Sequence, residues 1–363
     1  MKYDFYSCYW DEENQEPLFD EINQIENEYH RTELYALSLG RDSSKIRALE
    51  IYKSLFSDYE VPEETLNLMG SLSLREPHYN AGVLPKSSFL LHVKFILRKP
   101  YISKDDEEFY IHENPVAKEK VFKVPYIRAS SWKGNLRWSA LKNLIDEISE
   151  IKEEQKKWEI ALEGRARIVR IFGNEKENRE DSIFERIFPG KIRDNNKEVN
   201  KFNQEFQDYI TKRHYVNKDG NGKGRLACYP TFFDKVSLDI INPHERETRK
   251  GTNPITLEVV PENTEGNLHL VYLPLDRLGE EGIHGEVRAD LLLLCKAVNM
   301  LLTEYGMSAK RTSGYGASDI GEVKFKSRLL KEYTKYADLD ELIKKLEKDR
   351  KIAKNYHGRS EIE

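Results

Sequence analysis

The chain has 363 residues, of which 39% are hydrophobic and 33% charged, and 58 basic against 63 acidic side chains leave a formal charge of −5. This is apolar material for a packed core beneath a densely charged surface, in a chain longer than the roughly 100–200 residues of one ordinary domain. No run approaches the roughly 20 apolar residues that cross a bilayer, and the opening segment MKYDFYSCYWDEENQEP lacks the basic-then-apolar order of a secretory signal, so no membrane partner and a cytoplasmic location are expected.

Cys8, Cys228 and Cys295 lie far apart without a C-x-x-C pair, which argues for ordinary thiols rather than a disulfide framework or zinc site. Charge is unevenly placed. Acids dominate residues 4–28, whereas residues 118–137 carry Lys118, Lys120, Lys123, Arg128, Lys133 and Arg137 against Glu119 alone. A second basic stretch holds Lys212, Arg213, Lys218, Lys223 and Arg225 against Asp219. Phosphate responds to local potential, so an acidic total is compatible with basic grooves; solvated lysines are the plainer explanation of either stretch alone.

In chain order, residues 16–74 place apolar side chains at helical spacing (Leu34, Leu37, Ile46, Leu49, Tyr52, Leu55), which predicts a helical N-terminal extension. Pro77, Gly82 and Pro85 then punctuate the chain before a strand at 88–97. Residues 99–121 read as a long loop, followed by a short strand at 124–128. Ser130 and Ser131 can cap a helix beginning near Trp132, whose apolar positions Leu136, Ala140, Leu141, Leu144 and Ile148 fit the helical period.

Residues from about 149 to 212 read as a helical insertion, and 219–224 as a glycine-rich hairpin tip leading into a strand at 225–232. Further strands are expected at 256–260 and 268–272, an amphipathic helix at 290–305, and a peripheral helical tail from 329. Few strands interleaved with helices, without a βαβ repeat, predict an α+β fold. The expected division is a helical extension at 1–85, a core at 86–325 carrying the insertion, and a C-terminal helical tail at 326–363.

Two segments carry candidate chemistry. Pro125-Tyr-Ile-Arg-Ala-Ser-Ser-Trp-Lys-Gly-Asn-Leu-Arg137 sets hydroxyls, Lys133, Gly134 and Arg137 where a strand enters a helix N-terminus, a place that offers free N–H groups to phosphate. Gly306-Met-Ser-Ala-Lys-Arg-Thr-Ser-Gly-Tyr-Gly316 combines a basic pair, small hydroxyls and close glycines, which suits a loop moulded around a sugar-phosphate backbone. It is neither a Walker loop nor a dinucleotide fingerprint. An ordinary capped helix and a surface turn remain open as readings of the two segments.

The first segment resembles the P-y-I-x-x-S-S-x-K-G-x-L-R signature of the RAMP superfamily, in its type III CRISPR backbone branch. Arg311-Thr-Ser-Gly-Tyr-Gly316 is similar to that superfamily's C-terminal glycine-rich loop, Ile171-Phe-Gly173 to its l-F-G, and the stretch from Gly224-Arg-Leu226 to Phe233-Asp234 to its G-x-L-x-F-x-D strand. The resemblance implies an RRM/ferredoxin-like core and a subunit that stacks with other CRISPR effector subunits along guide RNA and target RNA. It assigns RNA contact to Arg128, Ser130, Ser131, Lys133, Gly134, Arg137, Lys310, Arg311, Ser313, Gly314 and Gly316.

Cleaving members of that branch use an aspartate just before a P-V pair, with a divalent metal (Mg or Mn). Here Pro115-Val116 puts Glu113 at that place, one methylene longer, with Asp106 and His112 as further carboxylate and proton-transfer candidates in the same loop. A solvated acidic loop is the plainer reading of Asp105, Asp106 and His112. A guide-processing ribonuclease and a protein-bridging scaffold are the competing functional readings.

Overall fold

In the computed structural model the described residues are 59–77, 79–80, 82–103, 114–174, 187–188, 196–242, 254–280 and 282–357, with isolated positions at 22–25, 31, 34 and 53. Side chains beyond residue 350 are not included. Most of the expected N-terminal helices, Cys8, and the loop holding Asp105, Asp106, His112 and Glu113 lie outside the described residues.

The centre of the molecule is a four-stranded sheet of β2 (Phe89–Leu97), β4 (Leu226–Cys228), β8 (Glu265–Tyr272) and β9 (Ser318–Ser327). Its order is β4-β8-β2-β9 and every pairing is antiparallel. Period-two alternation sends Phe89, Leu91, Val93, Phe95 and Leu97 into one core, where they meet Leu268, Leu270, Val323 and Phe325. Leu90, His92, Lys94, His269, Lys324 and Lys326 fall on the other face.

Two helices cover the inner face. Helix α2 (Ala129–Ser149) follows β3 (Tyr126–Ile127), and α5 (His284–Met300) follows β8, continuing as a π-helical turn over Leu301–Tyr305. α2 buries Trp132, Leu136, Ala140, Leu144 and Ile148, and the Trp132 indole donates to Thr231 Oγ1 at 3.0 Å. A fully buried indole must find such an acceptor. α5 is buried on almost every side because α2, the sheet and α6 (Leu339–His357) all pack on it.

Around this core lie β1 (Tyr59–Glu60), α1 (Glu63–Ser71), α3 (Glu154–Phe172), α4 (Asn196–Lys212), β5 (Thr231–Phe232), β6 (Lys235–Ile241) and β7 (Ile255–Val259). β1, β6 and β7 form a second antiparallel sheet, and β3 pairs with β5.

Several expectations are corrected. α2 starts at Ala129 with Arg128 at its N-cap, so Ser130 and Ser131 lie inside the first turn and neither caps it. The strand expected at 225–232 divides into β4 and β5. Residues 217–224 form a turn between α4 and β4 rather than a hairpin tip, with Asn217 Oδ1 accepting from the N–H groups of Asp219 and Asn221. The tail is not peripheral, because Leu330, Tyr333, Leu339, Leu342 and Leu346 join the main core.

Candidate nucleic-acid interface

The glycine-rich loop leaves the end of the π-helical turn and returns to β9 through a narrow neck. Gly306 and Gly316 have φ of +71° and +76°, and a Cβ on Gly316 would stand 2.7 Å from the Ser308 backbone nitrogen. Only glycine satisfies both demands at once. The loop is also tied to the segment after β2: Gly316 N donates to Pro100 O at 2.9 Å, Ala309 N to Ile102 O at 3.0 Å, and buried Ser308 Oγ bridges Ile102 N and O at 2.8 Å each. A fixed base thus carries an exposed tip in which Lys310 adopts a left-handed conformation with φ +55°, and Arg311–Ser313 make one 3-10 turn.

That tip reaches α2. The Arg311 guanidinium sits 4.5 Å from the centre of the Trp138 ring, and its Nη1 donates to Asn135 Oδ1 at 3.5 Å. Asn135 in turn donates to Ser131 O at 3.0 Å, and Trp138 packs edge-on against Tyr305. Ser131, Asn135 and Trp138 are spaced four and three apart and share one stripe of the helix. Asn135 and Trp138 were not among the sequence candidates, although this spacing was readable.

Half-buried Lys133 shares the neighbouring stripe with exposed Ser130, and exposed Gly134 lies between the two stripes. A Cβ built on Gly134 would meet no atom within 4 Å. Arg128, at the helix entrance, donates from Nε to Tyr126 Oη at 3.0 Å, and Tyr126 stacks on Phe232. Half-buried Arg137, one turn after Lys133, donates from Nη1 to Gly173 O at 3.1 Å and so also holds the end of α3. The structure therefore gathers Arg128, Ser130, Ser131, Lys133 and Gly134 over the first turns of α2 and brings Arg311 against the same helix, with Lys310, Ser313 and Gly314 in the rest of the loop tip, where Ser313 borders β6 and β7, and Gly316 buried in the neck.

Not every basic residue of the two stretches is available to a ligand. Lys118 is buried and pairs with buried Glu258, whose Oε2 also accepts from Val116 N at 2.9 Å. This pair and the Asn114 O bond from Glu258 N at 3.0 Å anchor the chain just after residue 113. Arg225 is likewise buried: its Nε donates to Asp276 Oδ1 at 2.7 Å, its Nη1 to Tyr272 Oη at 2.9 Å, and it pairs with Glu286. Burial opposes its charge, yet these partners outweigh burial and raise its pKa. Glu286 also accepts from Tyr215 Oη at 2.7 Å, beside the Arg170–Asp290 pair.

Two histidines that are far apart in the chain are brought together on the outer sheet face. The His92 and His269 rings stack at 4.3 Å, and His92 Nε2 bonds Asn267 Oδ1 at 2.9 Å. Burial, and then the neighbouring His92, push the His269 pKa down to about 4. Among the described residues no group of three or more His, Cys, Asp or Glu side chains could hold a metal ion, and no helix is long and apolar enough to cross a membrane.

Fold and site together define an α+β protein that sets a basic, glycine-containing surface at the N-terminus of one helix, beside a glycine-rich loop. The chain belongs to the RAMP superfamily, whose family model matches residues 71–318. Among solved structures it is similar to a chain of a type III-B Cmr-beta complex bound to cognate target RNA, seen by cryo-EM, at 12% identity over 89% of this chain and 81% of that one, with a TM-score of 0.35. It is also similar to a chain of a CRISPR RNA-guided surveillance complex in a pre-nicking state, at 13% identity over 66% of this chain and 77% of that one, with a TM-score of 0.34. A chain of a further CRISPR RNA-guided surveillance complex matches at 12% identity over 66% and 68%, with a TM-score of 0.36. No curated protein sequence matches.

Proposed function

We propose that this chain is an RNA-binding subunit of a type III CRISPR effector complex, gripping guide RNA and its target duplex between the first turns of α2 and the glycine-rich loop. The observation that carries the reading is Gly134. A glycine inside a helix costs about 0.5–1 kcal/mol relative to alanine, and among the described residues no neighbour requires its missing Cβ. The uncompensated cost is accounted for if a ligand backbone lies against that surface. Lys133 and the Arg311 guanidinium stand on either side of it, where a phosphate chain needs positive charge.

The core is read as RRM-like. In chain order β2, α2, β4, β8, α5 and β9 run βαββαβ, and the antiparallel order β4-β8-β2-β9 supports that reading. Base pairing supplies sequence choice in such a subunit, and the protein reads backbone and shape.

The test is a salt titration of guide-RNA binding with Lys133→Glu and Arg311→Glu. Each variant should bind more weakly, with a salt slope shallower by about one per lost phosphate contact. Affinity and slope unchanged in both variants would leave the protein-bridging scaffold. Cleavage of bound target through Glu113, aided by Asp106, His112 and a divalent cation, rests on the sequence resemblance. It predicts that Glu113→Ala abolishes cutting by the assembled complex while RNA affinity stays within about twofold.

A further inference from the structure

The outer face of the central sheet carries a cleft of about 310 Å³. Glu76, Pro77 and Tyr79 border it, with Leu90, His92 and His269 from β2 and β8 and Lys324 and Lys326 from β9. We propose that this cleft binds a carboxylate group, one oxygen accepting from the His269 imidazole and the other facing the Lys326 ammonium. The site is separate from the RNA surface proposed above, because α2 packs on the opposite face of the sheet.

His269 supplies the observation that points to a ligand. It is 8% exposed, and its Nε2 is buried with no hydrogen-bond partner among the described residues. A buried ring nitrogen left unpaired is costly, and native interiors hold few of them. The ring is also fixed in place: it stacks on His92 at 4.3 Å with 3° between the planes, and the strand register sets His269 opposite His92 and His92 opposite Lys324. His92 Nε2 is already engaged with Asn267 Oδ1. A partner for His269 therefore has to enter the cleft.

The charges select the class of ligand. Two lysines line the cleft against one acid, Glu76, and Lys324 is engaged by Glu322 at 3.2 Å. Lys94, on the same face, is taken by Glu265 at 2.7 Å. Lys326 forms no ion pair among the described residues, so a single positive charge is left for a guest. A phosphate dianion beside Glu76 would be short of compensation, whereas a carboxylate is matched. Pro77 and Leu90 add apolar surface for the short aliphatic chain that carries such a group.

The proton balance is consistent with this guest. Burial, and then His92, push the His269 pKa down to about 4, so the empty cleft holds a neutral ring whose Nε2 can carry the N–H that a carboxylate oxygen accepts. The groups around the ring pair are Glu76, Tyr79, Tyr229, Lys324 and Lys326, and a bound carboxylate adds one negative charge to them. That charge favours the imidazolium and raises the His269 pKa. Such a group comes from a free small acid or from an acidic side chain of a protein, and the acid-rich residues 4–28 of this protein offer the second source for trial.

The experiment follows the histidine ring signals of the full chain by NMR near neutral pH, identified with His92→Gln and His269→Phe. Glutarate, added at constant ionic strength, should move the His92 and His269 signals and saturate in the millimolar range, and Lys326→Ala should weaken this about fivefold. A peptide of residues 4–28 is the second arm. Saturation at a tenfold lower concentration identifies a protein side chain as the source; saturation no tighter than glutarate identifies a small acid. Titrating the His269 ring with pH reads the starting state, and a value near 4 marks an open cleft. A value above about 6, close to that of a free histidine, marks a carboxylate already in place if Lys326→Ala lowers it, and overturns the proposal if it does not. An open cleft whose signals ignore both acids, or answer equally to sodium chloride, also overturns it, as does tighter saturation by inorganic phosphate. None of these outcomes alters the Lys133→Glu and Arg311→Glu salt titration, so the two readings fail separately.

Discussion

Arg311, from the glycine-rich loop, rests on the face of Trp138 in α2, so segments 173 residues apart in the chain meet through one cation and one aromatic ring. The contact fixes the loop tip against α2, one turn beyond Gly134. A half-buried arginine spread over an indole is also held in place, where an unsupported side chain would lose rotamer freedom on binding.

This contact should be measurable as coupling. Trp138→Leu keeps apolar bulk but removes the ring, and should weaken RNA binding by about three- to fivefold, in line with about 0.5–1 kcal/mol for an exposed cation–π pair. Arg311→Ala should cost more. The double variant should bind no more weakly than Arg311→Ala alone; additive losses in fluorescence anisotropy would show that the ring acts independently of the arginine.

Arg225 should behave as a structural residue, despite its place in a basic stretch. Removing it leaves Asp276 and Glu286 short of a partner beside the buried Arg170–Asp290 pair, and breaking such an arrangement costs on the order of 3–5 kcal/mol. Arg225→Ala should therefore lower the urea midpoint strongly. Lys223→Ala, two residues earlier and exposed, should leave stability within about 0.5 kcal/mol.

These contrasts mark what the sequence could and could not reveal. The apolar spacing from Trp132 to Ile148 made α2 legible, and the close glycines of 306–316 announced a tight loop, because both signals are local. β9 escaped notice: only Val323 and Phe325 of its central residues are buried, and the alternation they make with Lys324 and Lys326 is too short to stand out from a charged stretch. Whether a basic side chain is free was also unreadable. Arg225 meets its acids 51 and 61 residues away, and Lys118 finds Glu258 at a separation of 140. The meeting of His92 with His269 likewise depends on the register of β2 with β8.

That histidine pair predicts a pH dependence. His269 has its pKa depressed to about 4 in the folded chain, against about 6.5 when exposed. The unfolded chain therefore binds the extra proton between these values. Stability from this site is complete above about pH 6.5 and is lost as pH falls toward 4, by on the order of 2–3 kcal/mol. His269→Phe can stack on His92 but cannot titrate, so its urea stability should fall less than wild type across that window. Parallel pH curves for the two proteins would show that His269 is not depressed.

Gly134 provides the sharpest separation of stability from binding. Alanine at this position gains helix propensity, about 0.5–1 kcal/mol, and its methyl group has open space around it. Gly134→Ala should therefore raise the melting temperature by a few degrees. The same methyl group projects from the floor of the groove, between Lys133 and Arg311, where a ribose-phosphate chain would make its closest approach, so RNA affinity should fall even as the fold is strengthened. Gly134→Gln, also a good helix former, should keep most of the stability gain and reduce affinity further, because its longer side chain occupies the path itself. A packing role for the glycine requires the opposite pattern, with both variants less stable than wild type. Thermal melts and anisotropy titrations on the same three proteins distinguish these outcomes directly.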